Sequence, residues 1–588
     1  MDTHDYPGRG LSLSQLVFAL GEELKRVAYS PLYVAKGHFE LTGVRHAGYL
    51  CSFTFDTVSQ LDRDASTALT SIREWRNSFA QINRIPTDIL SLIPTHLSSD
   101  KDRFRAASVC RRWRGALLNH GALWSRLFLP NGEAYVSLLL ERTKGSPLDI
   151  IVHRDSPVGT TTMISSHAQK IRSLEFRHSD WQHIATFSEF NSGQLPLLRT
   201  LKIISPTTST SHGQHNVVTP PSLPFFRGSI NLENFVFHSR KLPSLSHFVF
   251  PNLTTFNLVS LPGEEEYSVL SLLDFLKASP MLQTVEVKVC TEVGLWGIPE
   301  ETVVTLPKVE TFSLHLVDDP GTLVYDIAAH ISCPRARHTF LMYERDNTST
   351  YVGLEIFPTF SWNRIVHQYA ASPIEEVTLE IKGSGYDPIE GFLTFRSSDA
   401  TVIKLGLNIH ETGVNEDELS MPPEHMGWAI FYQALTTIHD HPLRSHLKRL
   451  HIKYRTAIPD TWDIVGMGNK VEQVFSSLEP LDDLTIHGCD LRVFLSTFLK
   501  VLQAGALEPP VVFRRVKELT ILHPLIEDNE RECMDAIVEL ARLQHTLGIP
   551  FERMTVRMWN LPIGMEEELR QWVGVVDCRK ERDREEYV

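Results

Sequence analysis

The sequence predicts an α/β protein in which a small three-helix region is followed by an irregular array of repeats with short parallel strands. Two observations lead to this fold class. Apolar residues at helical spacing, preceded by residues that suit helix starts, fill residues 85–124. A short apolar pattern with strand spacing then returns at intervals through residues 166–560. The chain therefore divides into a helical part and a repetitive part.

Residues 1–81 form a leader of uncertain structure. Apolar residues recur near helical spacing in 13–27 and again in 57–82, which predicts two amphipathic helices. The second helix leads into the three-helix region. Residues 39–55 read as strands and loops, and we expect the leader as a whole to be solvated or disordered.

The first of the three predicted helices follows Pro86, which suits a first-turn position because its missing N–H is not needed there. Ile89, Ile93 and Leu97 lie four residues apart on one face of this helix. Leu90 lies beside them. The pattern predicts one amphipathic helix.

Two further short helices are predicted after it. Asp100 is a candidate cap for a helix that carries Phe104. Val109, Trp113 and Leu117 mark a third helix at the same four-residue spacing. Because chains below about 40 residues rarely bury enough apolar surface alone, this region is expected to need a partner surface.

These residues resemble an F-box, whose pattern is an apolar residue and proline, an acid two residues on, spaced aliphatics, Val-Cys-x-x-Trp and a final Trp. The resemblance places the domain at residues 82–129 and implies docking on the Skp adaptor of a cullin-based SCF ubiquitin ligase. The positions expected to bind Skp are Ile85, Pro86, Ile89, Leu90, Ile93, Leu97, Phe104, Val109, Cys110, Trp113, Leu117 and Trp124. Alternatively, the large apolar residues form only the local core of a helical subdomain.

Behind a linker at residues 130–165, one pattern recurs: apolar, two residues, apolar, one residue, apolar. Its first group starts at Ile171, Leu198, Leu232, Leu253, Leu282 and Val309, and its second at Ile374, Val402, Leu447, Leu481 and Val516. Successive starts in the first group differ by 27, 34, 21, 29 and 27 residues. Most of these intervals lie within the roughly 20–29 residues of leucine-rich repeats.

The last two apolar positions of each unit are two apart, so both point into a core while their neighbours face out. Each unit returns through a helix or loop, such as 269–276, and stacked units give a solenoid. The array resembles divergent leucine-rich repeats, and its pairing with an F-box resembles the large F-box families of mushroom-forming fungi. Residues 309–374 are too long for one unit, and 332–344 is a candidate further strand. The alternative is a single α/β domain with ordinary alternating strands.

Outward-facing strand residues are the candidates for binding a protein substrate, whose identity the sequence does not give. They are Thr200, Lys202, Asn257, Glu286, Lys288 and Ser313. Stacking would align them on one surface. The alternative is that they are ordinary solvated strand residues.

Composition narrows the partners. A net charge of −14 and a pI near 6.0 argue against binding to nucleic acid or to an anionic membrane. The longest apolar stretches fall short of the roughly 20 residues that span a bilayer. Seven cysteines without a Cys-x-x-Cys pair indicate reduced thiols in a cytoplasmic or nuclear protein. Residues 561–588 form a charged C-terminal tail.

No sequence motif of catalysis is found: the chain has no Gly-x-Ser-x-Gly elbow, no Gly-Lys-Ser/Thr phosphate loop and no His-Glu-x-x-His helix. His439, His441, His446 and His451 lack the spacing of a zinc site. We therefore expect no catalytic site, no cofactor and no metal. A substrate receptor of an SCF ligase is favoured, with a non-ligase F-box/leucine-rich-repeat scaffold and an enzyme on an α/β domain as alternatives.

Overall fold

A computed structural model of the chain separates into two compact units, Met1–Leu123 and Trp124–Val588. The residues that the structure describes are 47–79, 85–97, 100–129, 132–153, 156–177, 195–204, 231–239, 245, 248–260, 267–290, 293–294, 302–317, 323–346, 365, 369, 372–382, 389–410, 434, 446–455, 481–488, 499, 516–522, 530–558 and 561–580. The helix predicted over 13–27 lies outside them. So do His439, His441 and the last eight residues of the predicted tail.

The described part of the first unit is helical. Its elements are α1 (Ala47–Ser78), α2 (Thr87–Leu92), a 3-10 turn (Ile93–His96), α3 (Asp100–Ala107) and α4 (Arg111–Asn119). Helix α1 begins ten residues before the predicted start at 57, so the prediction of strands and loops is wrong for 47–55. Residues 49–79 contain neither glycine nor proline, and an uninterrupted helix is therefore possible despite the aromatic residues near its start.

The single amphipathic helix predicted over 86–97 is interrupted. The last α-helical hydrogen bond at this point joins the Ile93 N–H to the Ile89 carbonyl. Pro94 has no N–H to give the Leu90 carbonyl, and its ring clashes with that turn. The chain tightens into the 3-10 turn, so Leu97 does not continue the face of Ile89 and Ile93.

Helices α2 and α3 both pack against α4. The side chains of Leu90, Trp113, Ala116 and Leu117 are buried. These residues form the interior of a small helical module. Its exposed surfaces are left for other contacts.

The second unit is built on one sheet. Its strands are β1 (Arg126–Phe128), β2 (Leu148–His153), β3 (Ile171–Arg177), β4 (Thr200–Ile204), β5 (Asn234–Ser239), β6 (Thr255–Ser260), β8 (Thr284–Val289), β11 (Thr311–Val317), β13 (His338–Asp346), β14 (Ile374–Lys382), β15 (Ile389–Ser397), β16 (Val402–His410), β17 (Arg449–Arg455), β18 (Asp483–His487), β19 (Glu518–Leu522), β20 (Arg553–Met558) and β21 (Val575–Lys580). Two small pairs lie apart from it: β7 (Tyr267–Ser268) with β9 (Val293–Gly294), and β10 (Val304–Thr305) with β12 (Ile331–Ser332).

The strands of the large sheet are mostly parallel and follow chain order. Leu201 pairs with Phe235, and Phe235 pairs with Phe256, in parallel register. The order runs β1 to β6, β8, β11 and β13, then β16, β15 and β14, then β17 to β21. Strand β13 confirms the further strand expected within 332–344. Strand β15 is antiparallel to both of its neighbours, and no repeat pattern predicted it.

One face of this sheet carries the repeat pattern. The apolar triplets that start at Ile171, Leu198, Leu232, Leu253, Leu282, Val309, Ile374, Leu447, Leu481 and Val516 are buried at all three positions. In the triplet that starts at Val402, that first residue is only half-buried, and the side chain of Leu407 lies outside the described residues. Phenylalanines fill the core between neighbouring repeats; Phe235 and Phe256 stack with ring centroids 5.9 Å apart. Strand spacing thus fixes which residues form the core.

In the described part of the second unit the α-helices are α5 (Glu133–Arg142), α6 (Val158–Ser165), α7 (Val269–Lys277), α8 (Leu323–Ala329), α9 (Glu530–Thr546) and α10 (Met565–Leu569). Helix α7 confirms the return helix expected at 269–276 and is capped by the Ser268 hydroxyl. Strands β1 and β2 and strand β21 join the same sheet, so regular structure extends on both sides of residues 166–560.

Candidate functional site

The first candidate site is an apolar surface on the helical module. Ile89 is 47% exposed, Leu92 is 49% exposed and Val109 is 60% exposed. Ile93 is 36% exposed, and Pro86 at the start of α2 is also exposed. We call Pro86, Ile89, Leu92, Ile93 and Val109 the module's apolar surface. Ile89, Leu92 and Ile93 are three and four residues apart and so lie next to one another, and adjacent exposed apolar side chains are a typical feature of surfaces that a partner covers.

The remaining residues predicted to bind Skp lie elsewhere. Leu90, Trp113 and Leu117 are buried within the module, where they support α2 and α4 instead of facing out. The half-buried residues are Ile85, Leu97, Phe104 and Cys110. Trp124 belongs to the second unit, where it is buried and the guanidinium of Arg142 lies 5.1 Å from its ring centroid.

Leu92 was missed by the sequence prediction. It lies three residues after Ile89, and i, i+3 neighbours share a helix face, so the signal was present in the spacing. The prediction followed a strict four-residue interval from Ile89 to Leu97 and therefore passed over it. That interval assumed a continuous helix through Pro94.

Arginine side chains hold the module's loops in place. The Arg112 guanidinium donates to the Ile85 carbonyl at 2.6 Å and so ties α4 to the start of α2. Arg103 is buried and donates to the carbonyls of Leu97 (3.3 Å) and Leu123 (3.4 Å). Hydrogen bonds from a charged donor are stronger than those from a neutral one, so these contacts hold α2, α4 and the chain at Leu97 and Leu123 in place.

The second candidate site is the sheet face opposite the buried triplets, which we call the polar face. Register places Lys202, Asn257, Glu286 and Ser313 in one row across it. Thr200 lies in the row beside them, and Lys288 in the row on the other side. The predicted substrate-binding residues therefore share one surface.

Several of these residues make side-chain contacts between strands. Asn257 Nδ2 donates to Glu286 Oε2 at 2.5 Å, and Asn257 Oδ1 lies 3.1 Å from His238 Nε2. Lys288 Nζ lies 3.3 Å from Glu344 Oε2. The first two contacts join the neighbouring strands β5, β6 and β8, and the third joins β8 to β13 across β11, so the side chains of this part of the polar face are held in place.

His315 faces the same carboxylate. Its Nε2 lies 2.7 Å from Glu344 Oε2, a contact that by itself would raise the imidazole pKa. Burial lowers the pKa of His315, and Lys288 lowers it further. Together these two effects outweigh the attraction of Glu344, so the pKa of His315 is lowered and the neutral imidazole is favoured.

An aromatic cluster with a central lysine lies on the polar face where the antiparallel strand is inserted. Lys404 Nζ lies 3.7 Å from the ring centroid of Phe392 and 5.7 Å from that of Phe340. Burial is the main cause of the lowered pKa of Lys404. Met342 and Phe392 pack over Gly406, where a Cβ atom would lie 2.3 Å from Met342 Sδ. Cation–π contact of this kind stabilises a partly desolvated ammonium.

A charge cluster follows on the next strands. Glu376 is buried and lies 3.0 Å from Arg396 and 3.3 Å from Arg449. His451, in the neighbouring row, has its pKa lowered mainly by burial. None of these residues was predicted as a binding candidate, because the candidates were taken only from outward positions between residues 200 and 313.

A comparison with protein-family models assigns a class to the helical module. Residues 82–130 match the F-box-like family, which covers the three helices and the apolar surface. The chain therefore carries an F-box-like domain, which suggests binding to the adaptor of SCF-type ubiquitin ligases. No match to the chain was found among curated proteins.

Other features of the described residues bear on chemistry. No group of three or more His, Cys, Asp or Glu in them is arranged to hold a metal ion. Cys110, Cys290, Cys333, Cys533 and Cys578 are reduced thiols. No helix in the described part of the chain is long and apolar enough to cross a membrane.

Proposed function

We propose that the chain is the substrate-recognition subunit of an SCF-type cullin ubiquitin ligase, with its F-box on the Skp adaptor and its sheet unit on a protein substrate. The observation that carries the proposal is the coincidence of the F-box-like match with the module's apolar surface. The domain supplies the class of partner. The exposed residues supply the surface.

The energetics favour a partner on that surface. Ile89, Leu92 and Val109 each keep about half or more of their side-chain area in contact with water. Covering such area contributes roughly 25 cal/mol per Å², and a few residues near the centre of an interface hold most of the binding energy. Because the arginine contacts fix the helices beneath, little further ordering is needed when a partner binds.

Substrate binding is assigned to the polar face of a leucine-rich-repeat-like solenoid. Support comes from the parallel strands in chain order, which stack outward-facing residues from many repeats on one surface. Ordered polar side chains and the aromatic cluster around Lys404 give that surface both hydrogen-bonding and apolar contact groups. On this proposal the chain has no catalytic site of its own.

Binding to the Skp adaptor is tested with the full-length chain. Purified chain is mixed with the Skp adaptor and a cullin, and complex formation is measured by co-purification. The double substitution Ile89→Asp with Val109→Asp is expected to abolish the complex because two charges would be desolvated in the interface. Thr87→Asp, an exposed position of the same helix, is the matched control and should bind normally.

Substrates are sought by proximity labelling in cells that carry either the wild-type chain or the variant with Ile89→Asp and Val109→Asp. Proteins that are labelled by both, and that lose ubiquitin only in cells with the variant, are the expected substrates. A chain that binds adaptor and cullin but changes the ubiquitination of no labelled protein would be a non-ligase scaffold instead.

The polar face is tested by reversing the charges of Lys202, Glu286 and Lys288 together. We expect reduced substrate capture with unchanged adaptor binding. Reversal of the exposed Glu539 and Arg542 pair on α9 is the control. Substrate capture that persists in a chain without the sheet unit would contradict the assignment.

A further inference from the structure

Helix α1 carries a seam that neither the F-box-like domain nor the polar face uses. Apolar residues alternate at spacings of three and four through residues 58–79 of the sequence. They are Val58, Leu61, Ala65, Ala68, Ile72, Trp75 and Phe79. A repeat of 3.5 residues over three heptads is the pattern of a coiled coil, since a 3.6-residue period would drift off one face.

Large exposed side chains lie along the C-terminal half of this seam. Trp75 is 57% exposed and Phe79 is 55% exposed, with their ring centroids 4.8 Å apart. Leu69, beside the seam, is 52% exposed. Ile72 is half-buried. Because long helices draw most of their stability from packing of the apolar face, a 32-residue helix with such a seam needs a partner helix.

We infer that α1 pairs with α1 of a second copy of this chain in an antiparallel coiled coil. Side-chain size selects the orientation. Antiparallel layers place Ala65 against the second copy's Trp75 and Ala68 against its Ile72, so each layer joins a small and a large residue. A parallel pair would face alanine with alanine and tryptophan with tryptophan, and its layers would alternate between gaps and overpacking.

Charge selects the same orientation. Asp62 and Arg76 both occupy position e of the heptad and are both exposed. In the antiparallel pair, position e flanks position e of the other helix, so Asp62 lies beside the second copy's Arg76, and the contact occurs twice by symmetry. In a parallel pair position e flanks position g, and these two residues would face Thr57 and Ser71.

The antiparallel dimer is tested with the full-length chain by sedimentation and light scattering. We expect a mass near twice 66.8 kDa at micromolar concentration. Ile72→Asp should raise the dissociation constant at least about 100-fold. Each dimer would bury two carboxylates in its core, and the cost of burying them far exceeds the free energy that corresponds to a 100-fold change in affinity. Ser66→Asp, an exposed position outside the seam, is the control.

A charge swap between Asp62 and Arg76 tests the dimer without a change to its core. Both residues are exposed, so their substitution should leave the fold intact even if Ile72→Asp disturbs it. Asp62→Arg or Arg76→Asp alone should weaken the dimer about 3- to 10-fold, as expected for two surface pairs that become repulsive. Asp62→Arg with Arg76→Asp should restore wild-type affinity. If the double substitution does not restore the affinity that the single substitutions lose, the antiparallel arrangement is overturned.

Residues 13–27 of the same chain are the competing occupant of the seam, because Leu13, Val17, Leu20, Leu24 and Val27 repeat its spacing. An intramolecular pair with that segment predicts a monomeric chain. A mass of one copy for the full-length protein would therefore overturn the inference. So would a dimer whose affinity Ile72→Asp leaves unchanged in a variant shown to be folded.

Discussion

Two leucines in one short helix separate adaptor binding from module stability. Leu92 is 49% exposed and Leu90 is fully buried, although both lie in α2. Substituting each with alanine removes the same atoms from two environments. The pair is therefore a direct test of which residues form the module's apolar surface.

The magnitudes follow from burial. Burying a whole leucine side chain contributes about 1.5–3 kcal/mol, so covering the exposed half of Leu92 is worth about 1 kcal/mol in adaptor binding. Leu92→Ala should then raise the Kd for the adaptor about fivefold. Leu90→Ala leaves a cavity and should lower the free energy of unfolding by about 2–5 kcal/mol.

The Kd is measured by calorimetric titration of the adaptor, and stability by urea unfolding. Both variants are measured at a temperature where each remains folded. A Leu92→Ala variant that binds the adaptor as tightly as the wild type would show that Leu92 lies outside the interface. A Leu90→Ala variant as stable as the wild type would show that α2 does not pack on α4 as the structure has it.

Three further predictions concern other parts of the chain. Gly406→Ala should cost about 1 kcal/mol in unfolding free energy and weaken substrate capture, since its Cβ would displace Met342 and Phe392; equal stability to wild type would contradict this. Gly115→Ala, within α4 and with open space around its Cβ, should instead stabilise the module by about 0.5–1 kcal/mol, as a rise in Tm would show. The pKa of His315 is lowered on folding, so its contribution to folding stability is present above 6.5, the unfolded value, and is lost as pH falls below it. The free energy of unfolding, measured by urea titration, should therefore depend less on pH in His315→Gln.

The helical module could be predicted from sequence where periodicity and burial agree. Spacing placed Trp113 and Leu117 on one helix, and the structure buries both. The single helix through Leu97 was wrong because Pro94 removes a hydrogen bond that the apolar pattern does not register. Which apolar residues face out is decided by the packing of α2 and α3 on α4, and spacing alone carries no such information.

In the sheet unit, too, residue spacing predicted one part of the structure and missed another. Strand spacing identified the buried positions of most repeats because a two-residue period has only two faces. Strand β15 escaped prediction because its pairing is antiparallel and its residues follow no repeat. Regular structure in 132–153 and 561–580 was missed for another reason. A strand at the end of the array has a repeat on one side only, so its spacing cannot be checked against repeats on both sides.

The inserted strands explain how the parallel order survives a break in the repeat. Strands β14, β15 and β16 form an antiparallel meander whose last strand pairs with β13 and whose first strand pairs with β17. An odd number of antiparallel strands restores the original direction, so β17 continues parallel to the strands before the insertion. The meander also brings Phe392 from the reversed strand beside Lys404. The contact between Phe392 and Lys404 on the polar face therefore exists because the repeat is interrupted at this point: Lys404 belongs to the repeat that starts at Val402, and Phe392 to the inserted strand.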